Sequence, residues 1–286
     1  MFTSPPYRQG VTSLHDTRWL QLDGTANTRD LGGLPTTDGG RTQPGRILRS
    51  DNLQSLSDAD VQLLVEDIGL RQVIDLRTSA EVLLEGRGPL RSRPEVVHRH
   101  FTLLPERGEY TDVFATEEPE VPELQSGWLE SVLPRGVAEH DQDEPPSVRI
   151  YLGYLADRGD AVVAALRALI AETDGASVVH CAAGKDRTGV VVALTLAVAG
   201  VPHEEIAIDY GLSGDVIDAI LARLAATPTY GGDMERRTSA AHAPRRETMD
   251  RVLQLLDERY GGPIGWLDTH GFGADEQAAL RARLRG

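Results

Sequence analysis

The sequence predicts an α/β fold with a mainly parallel central sheet flanked by helices. Residues 176–196 read as an apolar strand, a glycine-containing turn and an apolar helix in direct succession. Residues 71–77, RQVIDLR, read as a second short buried strand that ends near Asp75. A helix with apolar residues at helical spacing precedes that strand. Strands that alternate with helices indicate βαβ units and a parallel sheet.

The other elements follow in chain order. Residues 24–45 have a turn composition rich in Gly, Thr and Asp, which accommodates short strands. Ser57 is the expected N-cap of the helix before the RQVIDLR strand, and Gly69 is its expected end. Residues 148–173 read as a helical region. Beyond residue 210, two helices surround a glycine-containing stretch, and a short helix closes the chain.

Composition limits the classes of protein to which the chain can belong. Of its 286 residues, 40% are hydrophobic and 26% charged, which is typical of a soluble globular protein. We expect one domain over residues 1–286, with residues 106–147 as an acidic, proline-interrupted insertion. The net charge of -15 argues against general nucleic-acid binding. No signal peptide or membrane span is expected, because no apolar run is long enough and the first residues lack the required pattern.

The single cysteine lies in an unusual stretch, VVHCAAGKDRTGVVVA (residues 178–193). One cysteine excludes an intramolecular disulfide and a multi-cysteine metal site. Cys181 and Arg187 bracket five residues between a strand and a helix, where backbone N–H groups can form an anion-binding nest. The start of the helix and the guanidinium add positive charge, which favours the thiolate. The candidate phosphate-binding residues are Ala182, Ala183, Gly184, Lys185, Asp186 and Arg187.

An anion site and a nucleophile in one loop indicate attack on the bound anion itself. The chemistry that follows is phosphoryl transfer through a cysteinyl-phosphate, with Cys181 as nucleophile and Arg187 as the clamp on the phosphate oxygens. No metal and no cofactor is expected.

The loop HCAAGKDRTG resembles the signature of cysteine-dependent protein tyrosine phosphatases. Its GKD resembles the family of the mycobacterial secreted protein tyrosine phosphatase B. Four further stretches agree with that family: NTRDLGGL (27–34), GRILRSDNL (45–53), VIDLRTSAE (73–81) and YGGPIGWL (260–267). The resemblance covers most of the chain except the acidic insertion. It implies a tyrosine-phosphatase-like core with a two-helix lid over residues 214–260.

The resemblance also implies a substrate and roles for residues around the loop. The substrate would be a phosphorylated protein or a phosphoinositide, with inorganic phosphate as product. Thr188 would hydrogen-bond the thiolate, and His180 would order the loop. Lys185 is associated in this family with phosphoinositide hydrolysis as well as phosphoprotein hydrolysis.

The leaving oxygen needs a proton, so a carboxylic acid must face the thiolate. The Trp-Pro-Asp tripeptide of familiar tyrosine phosphatases does not occur in the chain. The resemblance implies Asp75, at a strand end, as the general acid, and Asp186 within the loop as its rival. Asp141 and Asp143 are weaker candidates. An ion pair with Arg77 is the alternative structural role for Asp75.

Three functional readings stay open at this point. The first is a protein tyrosine phosphatase of broad specificity. The second is a phosphatase dedicated to phosphoinositides or small metabolites, for which Lys185 is the indication. The third is a catalytically silent phosphate-binding module, against which the intact Cys181 and Arg187 argue. We expect a protein that is cytoplasmic, or secreted without a recognisable signal peptide, in an oligomeric state that the sequence leaves open.

Overall fold

Five β-strands form one sheet at the centre of the part of the chain that the computed structural model describes, residues 18–86, 88–104, 141–171, 174–231 and 243–286. The strands are β1 (Arg29–Asp30), β2 (Ile47–Ser50), β3 (Leu70–Asp75), β4 (Val97–His100) and β5 (Ala176–His180). Their order is β1-β2-β5-β3-β4. Only β1 pairs antiparallel with its neighbour, and the other strands are parallel. The predicted mainly parallel sheet is thus confirmed.

Ten α-helices surround the sheet in the described ranges. They are α1 (Asp58–Gln62), α2 (Ser79–Glu85), α3 (Pro146–Asp157), α4 (Gly159–Ala171), α5 (Asp186–Val198), α6 (His203–Gly211), α7 (Ile217–Ala225), α8 (Arg246–Tyr260), α9 (Pro263–Thr269) and α10 (Ala274–Arg285). Ser57 caps α1 as predicted, through a capping box with Asp60. Among these helices none is long and apolar enough to cross a membrane.

The sheet has a hydrophobic core on each face. Successive strand residues point to opposite faces, so Val178 packs with the core under α1 while Val179 packs with the larger core on the other side. Helix α5 runs through the larger core and is buried around nearly its whole circumference. The helix that follows the cysteine loop is therefore held rigidly from all sides.

The two helices expected to form a lid lie in different places. Helix α7 packs Ile217, Ile220 and Leu224 against Ala182 and Ala183 of the cysteine loop. Helix α8 instead buries an apolar stripe in the larger core, because its apolar residues recur at helical spacing on one face. Of these two helices, α7 is the one that contacts the loop in the described part of the chain. Residues 232–242 of the expected lid and residues 106–140 of the expected insertion lie outside the described part of the chain.

Candidate active site

The sheet brings the ends of three strands together. Ser50 at the end of β2 and Asp75 at the end of β3 both pair in register with His180 at the end of β5. The segments that follow these strands therefore start at one edge of the sheet, where open α/β sheets bind ligands. Cys181 is the first residue beyond β5 and is 1% exposed.

Hydrogen bonds to three carbonyl groups of the cysteine loop fix the orientation of its peptide groups. In a trans peptide the carbonyl and the N–H group point in opposite directions. Because the carbonyls of residues 182–184 point away from the centre of the loop, the N–H groups of residues 183–185 point towards it, where they can bind an anion. All three carbonyls concerned accept hydrogen bonds from the two N-terminal motifs. These bonds are Asn52 N–H to Ala182 O at 3.0 Å, Asn27 Nδ2 to Ala183 O at 2.9 Å and Arg49 Nη2 to Gly184 O at 2.7 Å.

Gly184 occupies the tightest point of this loop. Its φ of +67° is in the left-handed region, and a Cβ there would lie 2.4 Å from the carbonyl oxygen of Ser50. Only glycine fits this position, so the sheet edge itself fixes the shape of the loop.

Arg187 is held by the carboxylate of Glu81, which lies in α2. Its Nη1 donates to Glu81 Oε2 at 2.6 Å and its Nη2 to Glu81 Oε1 at 2.9 Å, a bidentate pair. Burial alone would raise the pKa of Glu81, but Arg187 outweighs it and lowers that pKa to about 2. Arg187 Nε–H makes no hydrogen bond within the described residues, so this side of the guanidinium can receive a phosphate oxygen.

Tyr230, beyond the end of α7, reaches the same pair. Its hydroxyl accepts from Arg187 Nη2 at 3.2 Å and donates to Glu81. Burial raises the pKa of Tyr230 well above its usual value, so the phenol stays protonated as a donor. The segment that covers the loop is therefore hydrogen-bonded to the residue expected to clamp the phosphate.

Asp75 is held in an ion pair. Arg77 donates from Nε to Oδ1 at 2.9 Å and from Nη2 to Oδ2 at 2.7 Å. Burial would raise the pKa of Asp75, but Arg77 and His180 outweigh burial and hold this pKa well below its usual range. Asp75 thus forms the ion pair that the sequence left as the alternative to an acid role.

Asp186 has a different environment at the start of α5. Its side chain is 34% exposed, and its Oδ1 accepts from Tyr151 Oη at 2.5 Å. Tyr151 Oη also lies 2.7 Å from Tyr210 Oη. A chain of hydrogen bonds through two buried phenols, from α3 and α6, therefore ends at the Asp186 carboxylate. Burial raises the pKa of Tyr151 well above its usual value, which keeps its hydroxyl a donor. The hydrogen bond from Tyr151 thus orients the Asp186 carboxylate, which forms no buried ion pair in the described residues.

The supporting residues lie around the loop. His180 Nδ1 is 3.3 Å from Cys181 O, and burial lowers the pKa of His180 to about 4, against the opposing effect of Asp75. Thr188 Oγ1 is buried and has no hydrogen-bond partner in the described ranges. Lys185 is the only lysine among 29 Lys and Arg residues, and its Nζ lies 3.8 Å from Asp186 Oδ2.

The two outlying aspartates lie elsewhere. Asp141 is buried and paired with Arg259 at the end of α8, and Asp143 is exposed. Neither is placed by these contacts beside Cys181.

A buried cluster of three arginines around Asp209 is hydrogen-bonded to the cysteine loop. Arg18, Arg29 and Arg49 all pair with Asp209, and the four residues are at most 3% exposed. Burial and the neighbouring Arg49 lower the pKa of Arg29 to about 9, although Asp209 opposes this. Because Arg49 also donates to Gly184 O, the cluster connects both N-terminal motifs to the cysteine loop.

Five residues of the site carry no signal in the sequence that links them to it: Glu81, Tyr230, Tyr151, Tyr210 and Asp209. Glu81 had one local signal, since Thr78 and Glu81 have the spacing of a capping box and form one in the structure. That signal predicts a helix start and not a partner for Arg187, which lies 106 residues further along the chain.

Replacing Glu81 with glutamine is expected to lower kcat/KM for an aryl phosphate by about tenfold to a hundredfold, because Arg187 loses the charged, bidentate partner that orients it. The measurement is steady-state kinetics together with the inhibition constant of inorganic phosphate, which should rise in parallel. Tyr230→Phe is the matched control, since it removes one hydrogen bond from the same pair and should cost only about fivefold. Equal kinetics for wild type and Glu81→Gln would show that Glu81 does not position Arg187.

Comparison with known proteins agrees with this geometry. Residues 20–286 match the tyrosine phosphatase family. The chain is 28% identical to the triple specificity protein phosphatase PtpB of Mycobacterium tuberculosis, over 93% of this chain and 97% of that protein. It is 27% identical to the tyrosine-protein phosphatase of Nostoc commune, over 83% of this chain and 74% of that protein. With nearly its whole length matched and the loop and its supports in place, the chain belongs to the tyrosine phosphatase family.

Proposed function

We propose that this protein hydrolyses phosphotyrosine through a cysteinyl-phosphate at Cys181, without a metal ion, and that it accepts a broad range of phosphomonoesters. The observation that carries the proposal is the cysteine loop itself. Its carbonyls are tied back to Asn52, Asn27 and Arg49, and its arginine is oriented by Glu81. Such a loop presents several N–H groups and one guanidinium to a tetrahedral dianion beside a buried thiol.

The reaction has two steps. The Cys181 thiolate attacks phosphorus, a bond forms between sulfur and phosphorus, and the bond between phosphorus and the phenolic oxygen breaks. A carboxylic acid protonates the leaving oxygen. Water then attacks the phosphocysteine, its proton passes to the same carboxylate, and inorganic phosphate leaves as the thiolate is restored. Arg187 and the loop N–H groups stabilise the charge on the equatorial oxygens in both steps. The Thr188 hydroxyl has no hydrogen-bond partner in the described residues, so it is available to donate to Cys181 Sγ as the bond between sulfur and phosphorus breaks.

Asp186 is the general acid in this proposal, and Asp75 positions the site. Asp186 lies on the loop, is partly exposed and is oriented by Tyr151. Asp75 is instead held ionised by Arg77 at the strand end. A general acid must hold a proton when substrate binds, and the dianionic phosphate favours protonation of a carboxyl group close to it.

Asp186→Asn is expected to lower kcat/KM about a hundredfold for phenyl phosphate and much less for 4-nitrophenyl phosphate. The more basic phenolate needs the proton, whereas nitrophenolate leaves without one. The measurement is kcat/KM across a series of aryl phosphates, plotted against the pKa of the leaving phenol.

Asp75→Asn is the matched comparison for this series. It should slow all the aryl phosphates by a similar factor, because it disturbs the placement of Arg77 and His180 and not the proton transfer. A steep dependence on the leaving group in Asp75→Asn, with none in Asp186→Asn, would assign the acid role to Asp75 instead.

The breadth of specificity rests on Lys185 and on the relative whose name is triple specificity phosphatase. Arginine is used at every other basic position, apart from histidines, so a lysine at 185 indicates a need for a compact ammonium group. Beside the loop, that group suits a second anionic group on the substrate, such as another phosphate of a phosphoinositide headgroup.

Helix α7 acts as a cover for this site in the single domain that we propose. Its contacts with Ala182 and Ala183 place apolar side chains directly over the loop, where exclusion of water strengthens each electrostatic contact.

The test of the proposed function is phosphate release in the presence of EDTA. Substrates are a phosphotyrosine peptide, a phosphoserine peptide and phosphatidylinositol phosphates, and acid-quenched enzyme is analysed for a phosphate on Cys181 by mass spectrometry. Release in EDTA with phosphocysteine trapped would support the proposal. A Lys185→Gln variant that loses phosphoinositide turnover selectively would support the broad range. Phosphate binding without release from any substrate would favour the binding module instead.

A further inference from the structure

A cavity of about 380 Å³ opens beside the cysteine loop. It lies between the segment after β2, the end of α2, the loop residue Ala182, and the C-terminal part of α7 with the turn that follows it. Because Ala182 directly follows Cys181, a group that enters this cavity lies close to a phosphate held in the loop. The cavity therefore adjoins the proposed reaction site and can receive a neighbouring part of the substrate.

Arg223 of α7 is the charged side chain that this cavity exposes. Its Nε donates to Asp51 Oδ2 at 3.2 Å, and its Nη2 donates to the carbonyl oxygens of Gly24 and Asn52. These bonds hold the plane of the guanidinium in place. Nη1 makes no hydrogen bond within the described residues, is not a buried atom, and belongs to a side chain that is 26% exposed. The two N–H groups of Nη1 are therefore available to a ligand.

Ser55 supplies a second available group on the opposite wall. This residue is exposed, and its hydroxyl makes no hydrogen bond in the part of the chain that the structure describes. The two amide side chains beside it are already engaged as donors. Asn52 Nδ2 donates to Glu85 Oε2. Gln54 Nε2 donates to Gly86 O at 2.9 Å.

The acceptors on the same walls do not reach the cavity. Gln54 Oε1 and Glu85 Oε1 are buried atoms. The Glu85 side chain is only 3% exposed and pairs with Arg77 at 3.3 Å. Burial raises the pKa of Glu85, although Arg77 opposes this, so its repulsion of an anion in the cavity is weakened. Because the accessible groups are the Arg223 guanidinium and a hydroxyl, the lining favours a ligand that accepts hydrogen bonds and carries negative charge.

The amount of charge on the walls favours a carboxylate over a phosphate dianion. Among the described residues that line the cavity, Arg223 is the one cation, and Asp51 balances part of its charge. The whole chain has a net charge of -15, which disfavours each further negative charge on the ligand. The apolar part of the lining, from Leu84, Leu224 and Ala226, suits the methylene groups that carry a side-chain carboxylate.

We propose that this cavity is a specificity subsite that takes the carboxylate of a glutamate or aspartate next to the phosphorylated residue of a peptide substrate. One carboxylate oxygen accepts from Arg223 Nη1 and the other from the Ser55 hydroxyl. The inference rests on the proposed function and adds a substrate class to it.

The experiment compares pairs of phosphotyrosine peptides that differ only in one flanking residue, glutamate or glutamine, placed in turn at each of the positions around the phosphotyrosine. Glutamine has nearly the shape of glutamate without its charge, so the ratio of kcat/KM within a pair isolates the carboxylate. We expect a ratio of about fivefold to tenfold in favour of glutamate at one flanking position in wild type, the size of one charge-assisted hydrogen bond.

Arg223→Gln should bring this ratio towards one. The substitution also removes the contact with Asp51, but a merely structural disturbance slows both peptides of a pair alike and leaves their ratio unchanged. Dissociation constants of the same peptide pairs with Cys181→Ser give a second readout, which does not depend on turnover.

Two substitutions at Ser55 change the charge of the cavity without removing any hydrogen bond of the described residues. Ser55→Lys adds a second cation and should raise the ratio, whereas Ser55→Glu places a carboxylate opposite Arg223 and should bring the ratio below one. Ala222→Glu is the matched control, since it adds the same charge at an exposed position of α7 outside the cavity and should leave the ratio as it is in wild type.

The outcomes separate the two levels of inference. Equal turnover of both peptides at every position would keep the proposed function and overturn the subsite. A ratio that is the same in wild type, Arg223→Gln and Ser55→Glu would overturn it as well. So would much faster turnover when phosphoserine replaces the glutamate, because the cavity would then select a second phosphate. A protein that binds the peptides with the expected ratio but releases no phosphate would support the subsite and remove the proposed function.

Discussion

Replacing Cys181 with serine is expected to stop phosphate release while leaving phosphate binding intact. A serine hydroxyl is not ionised at neutral pH, so the nucleophile is lost, and loss of a nucleophile typically lowers kcat by about 10⁴-fold or more. The cradle itself consists of backbone N–H groups and Arg187, none of which the substitution touches. The measurements are kcat on an aryl phosphate and the dissociation constant of inorganic phosphate.

Arg187→Lys is the contrasting variant. It is expected to lower kcat/KM by about 10³-fold and to weaken phosphate binding as well, since a single ammonium cannot hold both oxygens of Glu81 and an oxygen of phosphate. Cys181→Ser thus separates chemistry from binding and Arg187→Lys does not. Turnover by Cys181→Ser at more than a trace of the wild-type rate would exclude a cysteinyl-phosphate.

The loop chemistry could be predicted because local spacing encodes it. A strand that ends at His180, a glycine that must adopt a positive φ, and a helix that begins at Asp186 are all properties of one short stretch. The parallel sheet then brings the ends of β2 and β3 to the same edge, as strand–helix alternation predicts.

The contacts that orient the site are long-range, and no local pattern encodes them. The spacing of Thr78 and Glu81 predicts a capping box, and the two residues form one. Nothing in the neighbouring sequence indicates that the Glu81 carboxylate also accepts hydrogen bonds from Arg187. Asp75 illustrates the reverse case. Its place at a strand end suits both a general acid and an ion pair, and the Arg77 guanidinium that forms the ion pair is placed by the fold in a way that the sequence does not show.

The packing partners of α7 and α8, the two helices expected to form a lid, could not be predicted from the sequence either. Both α7 and α8 have an apolar face, and amphipathicity tells only that this face is covered. The surface that each face packs against depends on long-range contacts: α7 packs on the cysteine loop, and α8 packs in the larger core.

The arginine cluster behind the loop has an energetic consequence that can be measured. Three guanidinium groups share the carboxylate of Asp209 in a place from which water is excluded. Removing one partner of a buried ion pair is costly because the other charge stays buried without compensation. Loss of the Asp209 carboxylate would leave three buried guanidinium groups without their anionic partner. One of them, that of Arg49, also donates to Gly184 O in the cysteine loop.

Asp209→Asn is therefore expected to lower the free energy of unfolding by about 3–5 kcal/mol at pH 7. Burial alone would raise the pKa of Asp209, but Arg29, Arg18 and Arg49 outweigh it and hold this pKa well below its usual range. A carboxyl with a depressed folded pKa stabilises the fold above its unfolded pKa, about 3.9, and this stabilisation is lost as the pH falls further. The difference between wild type and variant should thus be full at pH 7 and shrink below about pH 4.

Urea unfolding at several pH values measures this difference, and Asp38→Asn provides the matched control. Asp38 also pairs with an arginine, Arg285, but its side chain is 56% exposed, so its loss should leave the unfolding midpoint essentially unchanged. If Asp209→Asn were as stable as wild type at pH 7, the three arginines would not depend on that carboxylate. Because the same cluster holds the loop, the destabilised variant should also bind phosphate more weakly at temperatures where it remains folded, which links the stability of the core to the shape of the active site.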